Sequence, residues 1–304
     1  MEGNDMIENP IEWPNDARCA VAITFDMDTD SILHVADPKT ADTKICSASW
    51  LRYDTIAIPR LLRMYERYQI KQTFFIPGWT AEHYPKTVNS IVEAGHEIAL
   101  HGYLHEKPNT LSAHEEEYWF MRGLDAIRSV TGVEPRGFRA PNYRFSKHTI
   151  NYLIREQFLY DSSLMGDDVP YVIEGDSGSL IELPTEWVMD DWPQYTYNSE
   201  IGYTMQPNSP DRAMDVYLAE FEAAWEYGGL WISVWHPFVS GRLARCSRID
   251  KMIRYMVEKG GVWFATLAEI ASYVNHSIDG GRYAPRRERL PYYDGPTEAL
   301  NLCK

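Results

Sequence analysis

Residues 20–28 read Ala20-Val21-Ala22-Ile23-Thr24-Phe25-Asp26-Met27-Asp28, a short apolar run rich in β-branched and aromatic residues that ends on acids. Such a run, lacking polar alternation, suits a strand buried on both faces of a mostly parallel sheet. The rest of the chain repeats the theme. Further strands are predicted at 73–76, 97–101, 137–139, 159–163, 180–183, 230–235 and 262–265. Helices are predicted near 56–68, 85–94, 112–131 and 209–227, and from 146, 247 and 267. Ser112-Ala113-His114-Glu115 reads as a capping box, and Gly95 as a helix stop. Segments 165–178 and 186–206 read as loops, and a long polar stretch follows the first strand. The expectation is an α/β fold, a single β/α barrel of about seven strands, with an open doubly wound sheet as the alternative. One domain spans 1–304, its residues 276–304 forming an irregular tail suited to subunit contacts.

The composition bounds what this barrel can do. At 304 residues, 44% hydrophobic and 24% charged, the chain has ample core-forming residues, which disfavours disorder and a membrane partner. Its 29 basic against 44 acidic residues leave a formal charge of −15, a field that repels polyanions and argues against nucleic acid. The first residues carry Glu2 and Asp5 where a secretory signal carries bases, so a cytoplasmic location is expected. Cys19, Cys46, Cys246 and Cys303 lack metal-type spacing and are expected to be reduced thiols.

The chemistry gathers at strand ends. Asp26 and Asp28 share one face if the strand conformation persists, and two close carboxylates call for a cation or a proton between them. Taken alone, the pair also reads as a solvated acidic loop. His101 and His105 follow another strand, and their i, i+4 spacing on a helical turn would bring both imidazoles to one side as a site for zinc or a similar ion. Arg139 ends a further strand, where a guanidinium can hold a carboxylate or form a rim salt bridge. His236 closes the run Leu230-Trp231-Ile232-Ser233-Val234-Trp235. In a β/α barrel those strand ends meet, so the coincidence carries more weight than any single motif.

These residues resemble the polysaccharide deacetylase superfamily, whose NodB-homology domain is a distorted (β/α) barrel. Thr24-Phe25-Asp26-Met27-Asp28 is similar to its first motif, His101-Gly102-Tyr103-Leu104-His105 to its second, and Arg139-Ala140-Pro141-Asn142-Tyr143 to its third. Ile232 to Pro237 resembles the fifth. The resemblance implies Asp28, His101 and His105 as ligands of a divalent ion, Zn²⁺ above all, with Asp26 as general base, Arg139 orienting it and His236 as general acid. Support for His236 falls to Asp190 or Asp191. Asp191, Trp192, Tyr143 and Trp50 are expected to bind substrate.

Leu183-Pro184, Asp190-Asp191-Trp192-Pro193 and His236 to Arg242 look like a cytoplasmic branch that includes peptidoglycan-deacetylase-like proteins, cyclic imide hydrolases and allantoinases, commonly oligomeric and often tetrameric. The implied activity is metal-dependent hydrolysis of an amide-type C–N bond, leaning to a small cyclic imide or ureide. An N-deacetylase of an N-acetylated sugar or polysaccharide is the alternative. A saccharide-binding barrel without turnover and a metal-independent hydrolase complete the set.

Overall fold

The computed structural model describes residues 6–293 and Gly295. Ten strands form one sheet: β1 (Cys19–Asp26), β2 (Thr73–Ile76), β3 (Glu97–Leu100), β4 (Gly137–Phe138), β5 (Tyr160–Asp161), β6 (Tyr171–Glu174), β7 (Ser179–Glu182), β8 (Leu230–Trp235), β9 (Val262–Phe264) and β10 (Arg287–Arg289). Seven of them, in the order β7-β5-β4-β3-β2-β1-β8, pair in parallel and make the wall of a distorted (β/α) barrel. Every residue of β1 is buried, as the apolar run demands of a strand covered on both faces. β8 takes one edge of β1 along Ala20–Phe25, while β9 pairs with Cys19–Val21 and β2 with Thr24–Asp26. Beyond β8, one parallel bridge joins Val234 to Asp190, in the segment that follows β7.

Several local readings change. The 165–178 loop contains β6, which pairs antiparallel with β7 across a turn closed by Gly175 N–H to the Gly178 carbonyl. Its apolar core is only Tyr171-Val172-Ile173, too short a run to stand out beside Gly175, Asp176 and Ser177. The polar stretch after β1 folds into helices Ser31–Ala36 and Ile45–Leu51, and 186–206 holds the short helix Asp191–Tyr195. Nor is the tail irregular from 276 onward: helix Leu267–Asp279 runs through that point, and β10 adds to β6 in parallel. Cys19, Cys46 and Cys246 are free thiols, whereas Cys303 lies outside the described residues. Among the described residues, no helix is long and apolar enough to cross a membrane.

Glycines bring one helix against the histidine loop. A Cβ on Gly123, in helix Ala113–Thr131, would lie 2.5 Å from the Gly102 carbonyl oxygen, so a larger residue there forces the two backbones apart. Gly78 and Trp79 N–H in turn donate to the carbonyls of Gly102 and Tyr103. The residues between His101 and His105 are thus gripped from two sides.

Candidate active site

The carboxyl ends of β1, β3, β4 and β8 open into a cavity of about 320 Å³ whose walls include Asp26, Asp28, His101, His105 and His236. A larger cavity of about 480 Å³, beside β8 and lined by Met165, Met189 and Trp231, contains none of these five. Asp28 is the hub of the smaller one. Its carboxylate lies 3.5 Å from His101 Nε2 and 3.4 Å from the Nε2 atoms of both His105 and His236. Burial alone would raise the Asp28 carboxyl, but the surrounding His105, His236 and His101 pull it below the ordinary carboxylate range. Burial holds the His105 imidazole down at about 4, which leaves it neutral, with a lone pair to offer.

The two histidines do not converge on a helical turn as their spacing suggested. His101 leaves β3 extended, and left-handed backbone at Gly102 (φ 69°) and His105 (φ 61°) folds the chain back so that the rings stand 5.1 Å apart. Glu106 stabilises that turn by accepting the N–H groups of Tyr103 and Leu104. Sequence reasoning passed over Glu106, because a lone acid after a histidine motif carries no spacing signal. Neither does the strand conformation of β1 reach Asp28: Asp26 ends it, and Met27 N–H still donates to the Phe75 carbonyl.

Arg139 is fully buried over the Phe75 ring and serves as the cross-brace. It donates from Nη1 to Asp26 Oδ1 (2.8 Å) and Thr24 Oγ1 (2.8 Å), and from Nε and Nη2 to the carbonyl and hydroxyl of Ser162. Its own carbonyl accepts from His101 Nδ1 at 2.7 Å, which places the proton on Nδ1 and turns the Nε2 lone pair toward Asp28. The structure also separates Asp190 from Asp191. Asp191 Oδ1 is 2.7 Å from His236 Nδ1, while its Oδ2 accepts the His236 N–H and the Ser240 hydroxyl. Burial opposes charge on His236, yet Asp191 and Asp28 outweigh it and hold the imidazolium well above its usual range. Asp190 Oδ1 stands 3.9 Å from the same Nδ1.

Of the expected substrate residues, Tyr143 and Trp192 line the cavity together with Trp187, Ile201 and Tyr203. Asp191 and Trp50 stand outside its lining. Asp191 is buried and bonded to His236, and Trp50 packs against Trp192 and Phe238.

Asp28, His101 and His105 each offer a ligand atom, and those atoms all lie within 4.8 Å of one another. Asp28 Oδ1 is buried without a hydrogen-bond partner, the condition of an acceptor shaped for a cation. Two imidazoles and one carboxylate are a donor set that suits a divalent ion with a position left open. A second acidic group, Asp190, Asp191 and His236, is already spanned by the Asp191–His236 hydrogen bond.

Residues 15–158 match the polysaccharide deacetylase family. The chain is 31% identical over 244 residues to the peptidoglycan deacetylase of Helicobacter pylori, covering 71% of this chain and 83% of that protein. A Mycobacterium smegmatis structure assigned to the polysaccharide deacetylases superposes with a TM-score of 0.87 at 38% identity, over 92% of this chain and 96% of that one. A Puue allantoinase structure, 21% identical, shares the fold with a TM-score of 0.77 over 93% of this chain and 97% of its own.

Proposed function

Because the chain belongs to the polysaccharide deacetylase family, a family of hydrolases acting on C–N bonds, we propose that it hydrolyses the C–N bond of a small cyclic imide or ureide with a divalent ion, zinc by preference. One observation carries this reading: a buried Asp28 with a partnerless oxygen faces two imidazoles beside a second, Arg139-braced aspartate. Asp28, His101 and His105 would hold the ion. When bound, such an ion polarises a carbonyl and lowers the pKa of water from about 16 towards 7.

The chain's own residues do the rest. Arg139 occupies Asp26 Oδ1 and leaves Oδ2 to take the proton of the attacking water as it adds to the carbonyl carbon. His236, held as imidazolium by Asp191, gives its proton to the nitrogen as the C–N bond breaks. The ring opens to a carboxylate and an amide or urea.

The cavity supports a small substrate. Its volume of about 320 Å³ sits at the low end for ligand sites, and Tyr143, Trp187, Trp192 and Tyr203 offer flat apolar walls. An N-acetylated sugar is the second reading, favoured by the likeness to the H. pylori peptidoglycan deacetylase. Exposed Ile45, Tyr197 and Leu243 offer apolar surface for a homo-oligomer, tetrameric by preference. A turnover screen of succinimide, hydantoin, allantoin and N-acetylglucosamine oligomers, with metal analysis of the purified protein, tests the proposal. Ring opening that is lost on chelation and restored by zinc is expected; deacetylation without ring opening would overturn it in favour of the sugar.

A further inference from the structure

Asp190 is a buried carboxyl in the cavity wall that the mechanism leaves unused. His236 Nδ1 is already bonded to Asp191, and among the described residues no lysine or arginine forms an ion pair with Asp190. Its partners are two neutral donors. Tyr143 OH donates to Oδ2 at 2.8 Å and the Trp192 N–H to Oδ1 at 2.7 Å, which leaves each oxygen capacity for a further hydrogen bond. The surroundings are aromatic: Trp187 packs edge-on against Tyr143 at 4.7 Å, and Trp192 against Tyr203 at 4.9 Å. Burial pushes the Asp190 carboxyl up to about 7. A buried acceptor whose nearest cation, His236, gives its Nδ1 to Asp191 instead, beside flat apolar walls, is complementary to a neutral N–H on the edge of a ring.

Resting on the cyclic-amide reading, we infer that Asp190, steadied by Tyr143, accepts a hydrogen bond from a ring N–H of the substrate and so selects imide and ureide rings with a free N–H over their N-alkylated counterparts. A purely structural role is available to Asp190, since it caps helix Asp191–Tyr195. Asparagine caps equally well but presents a donor where the ring needs an acceptor, so Asp190→Asn separates the two roles. Asp190→Ser, which also keeps a capping oxygen, is the control for reach.

The experiment compares kcat/KM of the zinc-loaded protein for hydantoin and for its mono-N-methyl derivatives. Hydrogen bonds to ionisable groups predict a preference for one N–H of about 10- to 100-fold, carried mainly by KM, that collapses in both variants. A preference unchanged in the variants, or rates that fall equally on all rings, would overturn the assignment to Asp190 while leaving the cyclic-amide reading intact. No ring opening by the unsubstituted protein, with N-acetyl sugars hydrolysed instead, would overturn both.

Discussion

Two pairs of carboxyls stand at the carboxyl edge of the same sheet, Asp26 at the end of β1 with Asp28 just beyond it, and Asp161 with Glu182 at the ends of β5 and β7, and the fold treats them oppositely. All four side chains are buried. The first pair faces Arg139, His101, His105 and His236, and Asp28 is driven to ionise. The second faces mostly neutral groups. Asp161 accepts the N–H and hydroxyl of Ser163, Glu182 accepts the Leu164 N–H, and the Asp161 charge bears on Glu182. Burial raises Asp161 to about 6 and Glu182 well above its usual value, so the second pair favours a proton where Asp28 of the first favours ionisation. Residue type and strand-end position do not distinguish the pairs; the charges brought opposite them do.

Substitutions can erase or widen that contrast. Asp28→Asn removes the proposed anchoring carboxylate and should cost turnover about 10³-fold or more, with zinc content falling in parallel; retained zinc and rate would remove Asp28 from the ligand set. Arg139→Gln withdraws a buried cation from Asp26, Thr24 and Ser162, and denaturant melts should record a loss of about 3–5 kcal/mol. Asp161→Asn sets an amide donor against the donors of Ser163, for a loss of about 1–3 kcal/mol in the same measurement.

Glu182→Gln should be the mildest near pH 5, because its amide can supply the hydrogen that the acid shares with Asp161. Its signature lies in the pH dependence. Folded-state values above the unfolded ones mean that the native pair keeps protons the unfolded chain releases. The pair's contribution is therefore complete below about pH 4 and is lost as pH rises through about 6. The stability difference between Glu182→Gln and the parent should move in favour of the glutamine across that window; a flat difference would show that the carboxyls share no proton.

Asp26, Asp28, His101, His105 and His236, which line the cavity, and Arg139 buried against Asp26 were legible because each closes or follows a predicted strand, and parallel strands around a barrel deliver their carboxyl ends to one rim. What surrounds them was not legible. Asp190 and Asp191 are neighbours of one type, and only the docking of helix Asp191–Tyr195 against β8 decides which meets His236. Trp50 reads as a wall residue, but it packs against Trp192 and Phe238, and of these three only Trp192 lines the cavity. Glu106, Ser162 and Gly123 hold the site from positions with no motif of their own.

By itself, then, the order of residues along the chain determined the barrel class and the set of groups at its rim, because strand burial and strand polarity are local patterns with global consequences. Tertiary structure alone decided which acid stays ionised, which keeps its proton, which imidazole nitrogen points into the cavity and how large that cavity is. Those properties depend on desolvation and on charges contributed by segments far apart in the chain, and no local pattern encodes that distance.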